Sequence, residues 1–152
     1  MEKIARVTIA KSGLVKFGRK NISISFANVS EEEIKRLNKL YRKKNAPTDV
    51  LSFAEFTPLN IPLRGVSAKG GEFNRVKNKK EIEKGKNKNH ESLFLGEIVL
   101  CYNDIVKYSK EYKLDKEKEL AKAISHGVLH LLGFRHGKKM FEIQNGIKFY
   151  NF

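Results

Sequence analysis

The sequence predicts an α+β domain (α/β-like), a small mixed β-sheet covered by helices with a metal site at the end of one helix. Three observations predict it. Short period-two or β-branched segments are interleaved with helix patterns. A capping-box start and a glycine stop bound those helices. Three of the chain's four histidines fall within eleven residues at the end of the longest helical pattern. With 152 residues and an apolar fraction of 40%, the chain is long enough for one proper core, so residues 1–152 are expected to form a single domain.

The opening residues, Ala5–Ala10 and Gly13–Phe17, fit either a strand plus a turn or a short helix. Asn21–Asn28 (NISISFAN) alternates Ile22, Ile24 and Phe26 with serines, the pattern of a strand with one buried face. Ser30 followed by Glu31, Glu32 and Glu33 makes an N-cap with a capping-box glutamate and acids at the positive end of the dipole. Ile34, Leu37, Leu40 and Tyr41 continue that helix until Pro47 excludes it. Asp49–Phe53 reads as a second strand. Phe94–Tyr102 reads as a third, dense enough in Ile, Val and Leu to be central in the sheet.

Between the second and third strands, residues from about 59 to 93 are rich in proline and glycine and poor in periodic apolar positions, which reads as a long flexible insertion. From Asn103 a helix is expected. Another follows, capped by Asp115, with Leu120, Ala121, Ile124, Val128, Leu129, Leu131 and Leu132 on its apolar positions and Gly133 as its stop. A last helix is expected from about Lys138 to Tyr150.

Thirty-one Lys and Arg residues against 17 Asp and Glu give a net charge of +14. Nine basic and three acidic residues lie between Arg64 and Lys88, so +8 remains on the rest of the chain. Such an excess favours an anionic partner, because clustered cations release counterions from nucleic acid. No stretch has the roughly 20 apolar residues of a membrane span, and the first twenty residues interleave Lys and Arg where a signal peptide would stay apolar. A cytoplasmic protein with no membrane association is expected. The one cysteine, Cys101, excludes an internal disulfide and reads as a small buried hydrophobe.

His126 and His130 are four residues apart on the predicted helix, so they project from one face and can both direct a ring nitrogen at one ion. Gly133 permits the left-handed turn that lets His136 approach from a third direction. Three imidazoles suit zinc, with a fourth position left for water. His90 has no such company and reads as a loop residue. The spacing HxxxHxxGxxH is shared with the metzincin peptidases, but those place a glutamate base after the first histidine, and here that residue is Gly127.

The string HGVLHLLGFRH (His126–His136), taken with NAPTDVLSF (Asn45–Phe53) and LGEIVL (Leu95–Leu100), resembles the YbeY family of bacterial metal-dependent endoribonucleases. The resemblance covers roughly Ser25 to Gln144 and implies roles in ribosomal RNA maturation, at the small subunit, and in ribosome quality control. It implies His126, His130 and His136 as ligands of one zinc ion per chain. It places Arg42 on the family's arginine before the TDVLSF strand, where a guanidinium can grip an RNA phosphate through two hydrogen bonds. The chain departs from the family pattern at Arg135, where an aspartate is usual, and at Glu97, which replaces the aspartate of LGD. The basic insertion is also longer, and the region before Ser25 shorter, than the pattern implies.

Two functions follow. One is a zinc-dependent endoribonuclease cutting single-stranded RNA, with Arg42 as the catalytic phosphate clamp. The other is a non-enzymatic, zinc-containing ribosome assembly factor whose basic surface holds rRNA. Thr48 and Ser52 could contact substrate or simply complete the second strand and its turn.

Overall fold

A computed structural model describes residues 1–13, 21–55 and 92–147 of the chain. These form helix α1 (Glu2–Lys11), strand β1 (Asn21–Asn28), helix α2 (Glu31–Arg42), strands β2 (Val50–Ala54) and β3 (Ser92–Leu100), and helices α3 (Tyr102–Glu111), α4 (Lys116–Leu131) and α5 (Lys138–Asn145). The sheet is mixed, in the order β1-β3-β2, with β1 parallel and β2 antiparallel to the central β3. The expected α+β class and the central position of the third strand are both observed. No helix among the described residues is long and apolar enough to cross a membrane.

Alternation along the strands sorts their side chains to two faces. Val50, Ile98 and Leu100 join Ile124, Val128, Leu129 and Leu131 of α4, with Ile4 and Ala5 of α1, in the larger core. Leu51, Val99 and Cys101 join Ile34 of α2, with Leu37 and Phe53 against them, in the smaller one. The sheet is thus sandwiched, with α1 and α4 on one face and α2 on the other. Cys101 is fully buried, as expected of a small hydrophobe.

Of the two options for the opening segment, the structure takes the helix. Although Val7, Thr8 and Ile9 favour β structure locally, burial of Ile4, Ala5 and Thr8 on one helical face against α4 outweighs that preference. Thr8 Oγ1 also donates back to the Ile4 carbonyl at 2.8 Å. The third strand stops at Leu100: the Cys101 amide makes a last in-register bond to the Asp49 carbonyl (2.9 Å), and the Tyr102 amide is then taken by Asn28 Oδ1 (3.1 Å) where α3 starts. The expected insertion lies outside the described residues except for Ser92 and Leu93, which already belong to β3. Likewise α5 ends at Asn145, and the expected extension beyond residue 147 lies outside the described residues.

Gly96 shows why the LGE segment needs its glycine. Its φ is +138°, and a Cβ there would stand 2.1 Å from the Phe53 carbonyl oxygen. The β1–β3 register shifts at this point, with Ser23 opposite Phe94 but Ile24 opposite Gly96. This bulge re-aims β3, and Leu95 enters the larger core as a result.

Candidate metal centre

Helix α4 is anchored before it presents any chemistry. Asp115 caps it, its carboxylate accepting from the amides of Glu117 (2.9 Å) and Lys118 (3.2 Å). Ile124, Val128, Leu129 and Leu131 are fully buried, each contributing roughly 1.5–3 kcal/mol of burial free energy. His126 and His130 lie at the edge of that apolar stripe, half-buried, where their rings lean out of the core.

The helix ends in a Schellman turn. Gly133 takes φ +91°, its amide donates to the His130 carbonyl, and the Phe134 amide donates to the Leu129 carbonyl, both at 2.9 Å. This turn does two things for the site. It reverses the chain so that exposed His136 meets the two helix histidines, and it puts the Phe134 carbonyl 3.0 Å from Nδ1 of His130. A carbonyl can only accept, so the His130 proton sits on Nδ1 and Nε2 keeps its lone pair.

The three Nε2 atoms form a nearly regular triangle. His130 lies 3.1 Å from His126 and 2.9 Å from His136, and His126 lies 3.1 Å from His136. Ligand atoms at about 2.0–2.1 Å from a tetrahedral ion are about 3.3 Å apart, so the donor set fits a metal ion with little adjustment. Among the described residues no Cys, Asp or Glu joins this group as a fourth donor. Burial pushes the His130 pKa down to about 4, with the neighbouring His126 adding to the effect. His126 is lowered too, first by burial and then by His136. Both rings are therefore neutral at pH 7, the form that binds metal.

Gly127 is explained by packing. A Cβ there would meet Ile98 Cδ1 at 3.1 Å, Ile98 Cγ2 at 3.2 Å and Ser52 Oγ at 3.2 Å. Position 127 faces the sheet, so a peptidase-type glutamate has no room. Ser52 is accordingly a packing residue beneath α4, and Thr48 Oγ1 donates to Asp49 Oδ1 at 3.2 Å.

Arg42 is the last residue of α2 and is exposed. Its charge acts on both helix histidines, lowering their pKa values. Among the described residues it has no carboxylate partner. Arg135 is exposed beside His136, and Glu97 is half-buried in β3. His90 lies outside the described residues.

Two contributors escaped the sequence reading. Gln144 of α5 donates through its amide to the Lys122 carbonyl at 3.2 Å, and its side chain acts on the His126 ring in the direction that raises that ring's pKa, against the larger lowering by burial. A glutamine on an amphipathic helix carries no signal that separates it from a solvated one. Asp49 is the second; it opposes Arg42 in its effect on His126. It lines a pocket of about 380 Å³ with Thr48, Asp104, Ile105, Tyr108 and Glu119. Burial, then Asp49, raises the Asp104 pKa there.

The family described as Endoribonuclease YbeY matches residues 1–147, reaching α1 as well as the motif-bearing segments. The chain is 32% identical over 129 residues to an Endoribonuclease YbeY from Aquifex aeolicus, a match covering 85% of this chain and 66% of that protein. It is 35% identical over 139 residues to one from Syntrophomonas wolfei, covering 88% and 71%. The solution structure of a Thermotoga maritima protein is similar with a TM-score of 0.49 and 26% identity, covering 95% of this chain and 78% of that one. The chain spans just under two thirds of the length of the Aquifex aeolicus relative. With the family match running from α1 through the histidine turn, this chain belongs to the YbeY family.

Proposed function

We propose that this protein is a zinc-dependent endoribonuclease that cleaves single-stranded RNA in the maturation of small-subunit rRNA and in ribosome quality control, in the cytoplasm. The observation that carries the reading is the triangle of Nε2 atoms of His126, His130 and His136, with no protein donor closing it among the described residues. Its relatives are named endoribonucleases. Neutral imidazoles favour zinc over magnesium or calcium, which prefer oxygen. An open position favours catalysis over the structural zinc of an assembly factor, where the protein fills all four.

Bound zinc supplies Lewis acidity toward the phosphodiester and acidifies water toward a pKa of about 7. The chain's own residues do the rest. Burial keeps His126 and His130 neutral. The Phe134 carbonyl holds the His130 proton on Nδ1 and so fixes the direction of Nε2. Arg42 takes the non-bridging phosphate oxygens and offsets the charge that builds on them. Asp49 and Asp104 line a further pocket and disfavour a phosphate there.

The test pairs metal analysis with cleavage of a single-stranded RNA. The purified protein is expected to hold about one zinc per chain, and His130→Ala to lose both zinc and cleavage. Cleavage that survives in the zinc-free variant would overturn the assignment.

A further inference from the structure

The last two turns of α2 and the residues just after it carry a charge pattern that the metal centre does not account for. Acidic residues are confined to the first turn, Glu31 to Glu33. From Ile34 to Ala46 there are six basic residues (Lys35, Arg36, Lys39, Arg42, Lys43 and Lys44) and no acidic one. The helix dipole explains a cation or two in the last turn, but Lys35 and Arg36 lie too far from the C-terminus for that. Steps of three and four residues link Lys35 to Lys39 and Arg42, and Arg36 to Lys39 and Lys43, so these side chains share one side of the helix. The opposite side is committed to the sheet through Ile34 and Leu37.

That side is shaped as well as charged. An open groove of about 490 Å³ is lined by Arg36, Lys39, Leu40 and Lys43. The Lys43 ammonium is folded back over it, donating to the Leu40 carbonyl at 3.0 Å. Leu40 is 50% exposed, giving apolar surface among the cations that line the groove. Arg36 is already paired with Glu33 at 2.6 Å and contributes less. Lys35 and Lys39 have no acidic partner among the described residues. The row ends at Arg42, whose charge acts on His126 and His130.

We propose that the basic side of α2, through Lys35, Lys39 and Lys43, is a rail that holds the phosphates of single-stranded RNA and leads the strand to Arg42 and the histidines. The inference rests on the endoribonuclease reading and names the surface its substrate follows. Charge complementarity picks out a polyanion, and exposed Leu40 in the groove suits unpaired bases that can lie against apolar surface. A rail of this kind grips the backbone without reading sequence.

The experiment measures anisotropy of a fluorescein-labelled single-stranded oligoribonucleotide of about 15 nucleotides, bound to zinc-loaded protein across a salt series. Three proteins are compared: the wild type, a rail variant (Lys35→Ala, Lys39→Ala, Lys43→Ala) and a control with equal charge loss elsewhere (Lys110→Ala, Lys113→Ala, Lys116→Ala). Each single-strand phosphate contact contributes about 0.7 to the slope of log K against log salt, so the rail variant is expected to lose about 2 from that slope. Its affinity falls at least about tenfold at about 100 mM salt, and in cleavage KM rises while kcat holds within about twofold. The control stays near the wild type. A rail variant with the wild-type slope, or a control that loses as much, overturns the rail and leaves the nuclease reading standing. Rail-dependent binding with no cleavage by the zinc-loaded wild type overturns the nuclease reading and leaves the rail.

Discussion

The histidines belong to α4 and the arginine to the end of α2, helices that cover opposite faces of one sheet, and they are held in opposite ways. His126 and His130 are half-buried on a helix whose neighbouring side chains are fully buried, and the Phe134 carbonyl fixes the His130 ring. Arg42 ends a solvated helix, exposed and without a carboxylate partner among the described residues. A metal centre needs donors placed to within fractions of an ångström, which only packing and fixed hydrogen bonds provide. A phosphate clamp works through charge and can move to meet its ligand. Substitutions around α4 should therefore cost stability and metal, while those on the exposed side of α2 should cost substrate handling alone.

The largest effect is expected from Gly127→Glu, which forces a carboxylate against Ile98 and Ser52 where even a Cβ is tight. Overpacking and burial of a charged group together predict a loss above about 3 kcal/mol in urea unfolding, with zinc lost as well. A stable, zinc-binding variant would mean that α4 is not held closely to the sheet. Next is Arg42→Ala, expected to reduce cleavage about 100-fold with zinc content and melting temperature unchanged. Unchanged turnover would remove Arg42 from the reaction.

Gln144→Ala is expected to weaken zinc binding about tenfold in a chelator competition, and Gln144→Glu, which retains an acceptor oxygen for His126, to recover most of it. Equal loss in both would assign Gln144 to packing only. The smallest effect is the pH response of the zinc-free protein. The folded rings of His126 and His130 bind protons less readily than the unfolded chain does. Between pH 6.5 and about 4 the unfolded state therefore holds more protons, and stability falls as pH falls through that window. Stability measured by urea unfolding should rise with pH through this window and level off only above about pH 7.5, and His130→Ala should shallow the slope whereas Arg42→Ala should not.

Much of this molecule was legible residue by residue. The alternation at Ile22, Ile24 and Phe26 marked β1 to its final residue. Ser30 does cap α2, accepting from the Glu33 amide at 3.2 Å, and Asp115 and Gly133 bound the helix they were expected to bound. The convergence of His126, His130 and His136 follows from one helical turn plus one glycine turn, both of which are short-range geometry. The opening helix was not legible, because its β-branched run points one way and its burial against α4 points the other. Nor were the roles of Gly127 and Gly96, since what a missing side chain makes room for lies on a different strand.

By itself, the sequence determined what repeats or turns within a few residues: strand faces, helix ends, the spacing of the three histidines and the basic half of α2. Chain-local sterics and hydrogen bonds decide these, and they act wherever the segment lies. Only the tertiary structure decided that α2 and α4 take opposite faces of the sheet, that Gln144 acts on the His126 ring, and that Asp49 and Arg42 oppose each other at the same ring. Those relations join residues up to about a hundred positions apart, and no local periodicity encodes which partners a folded core brings together.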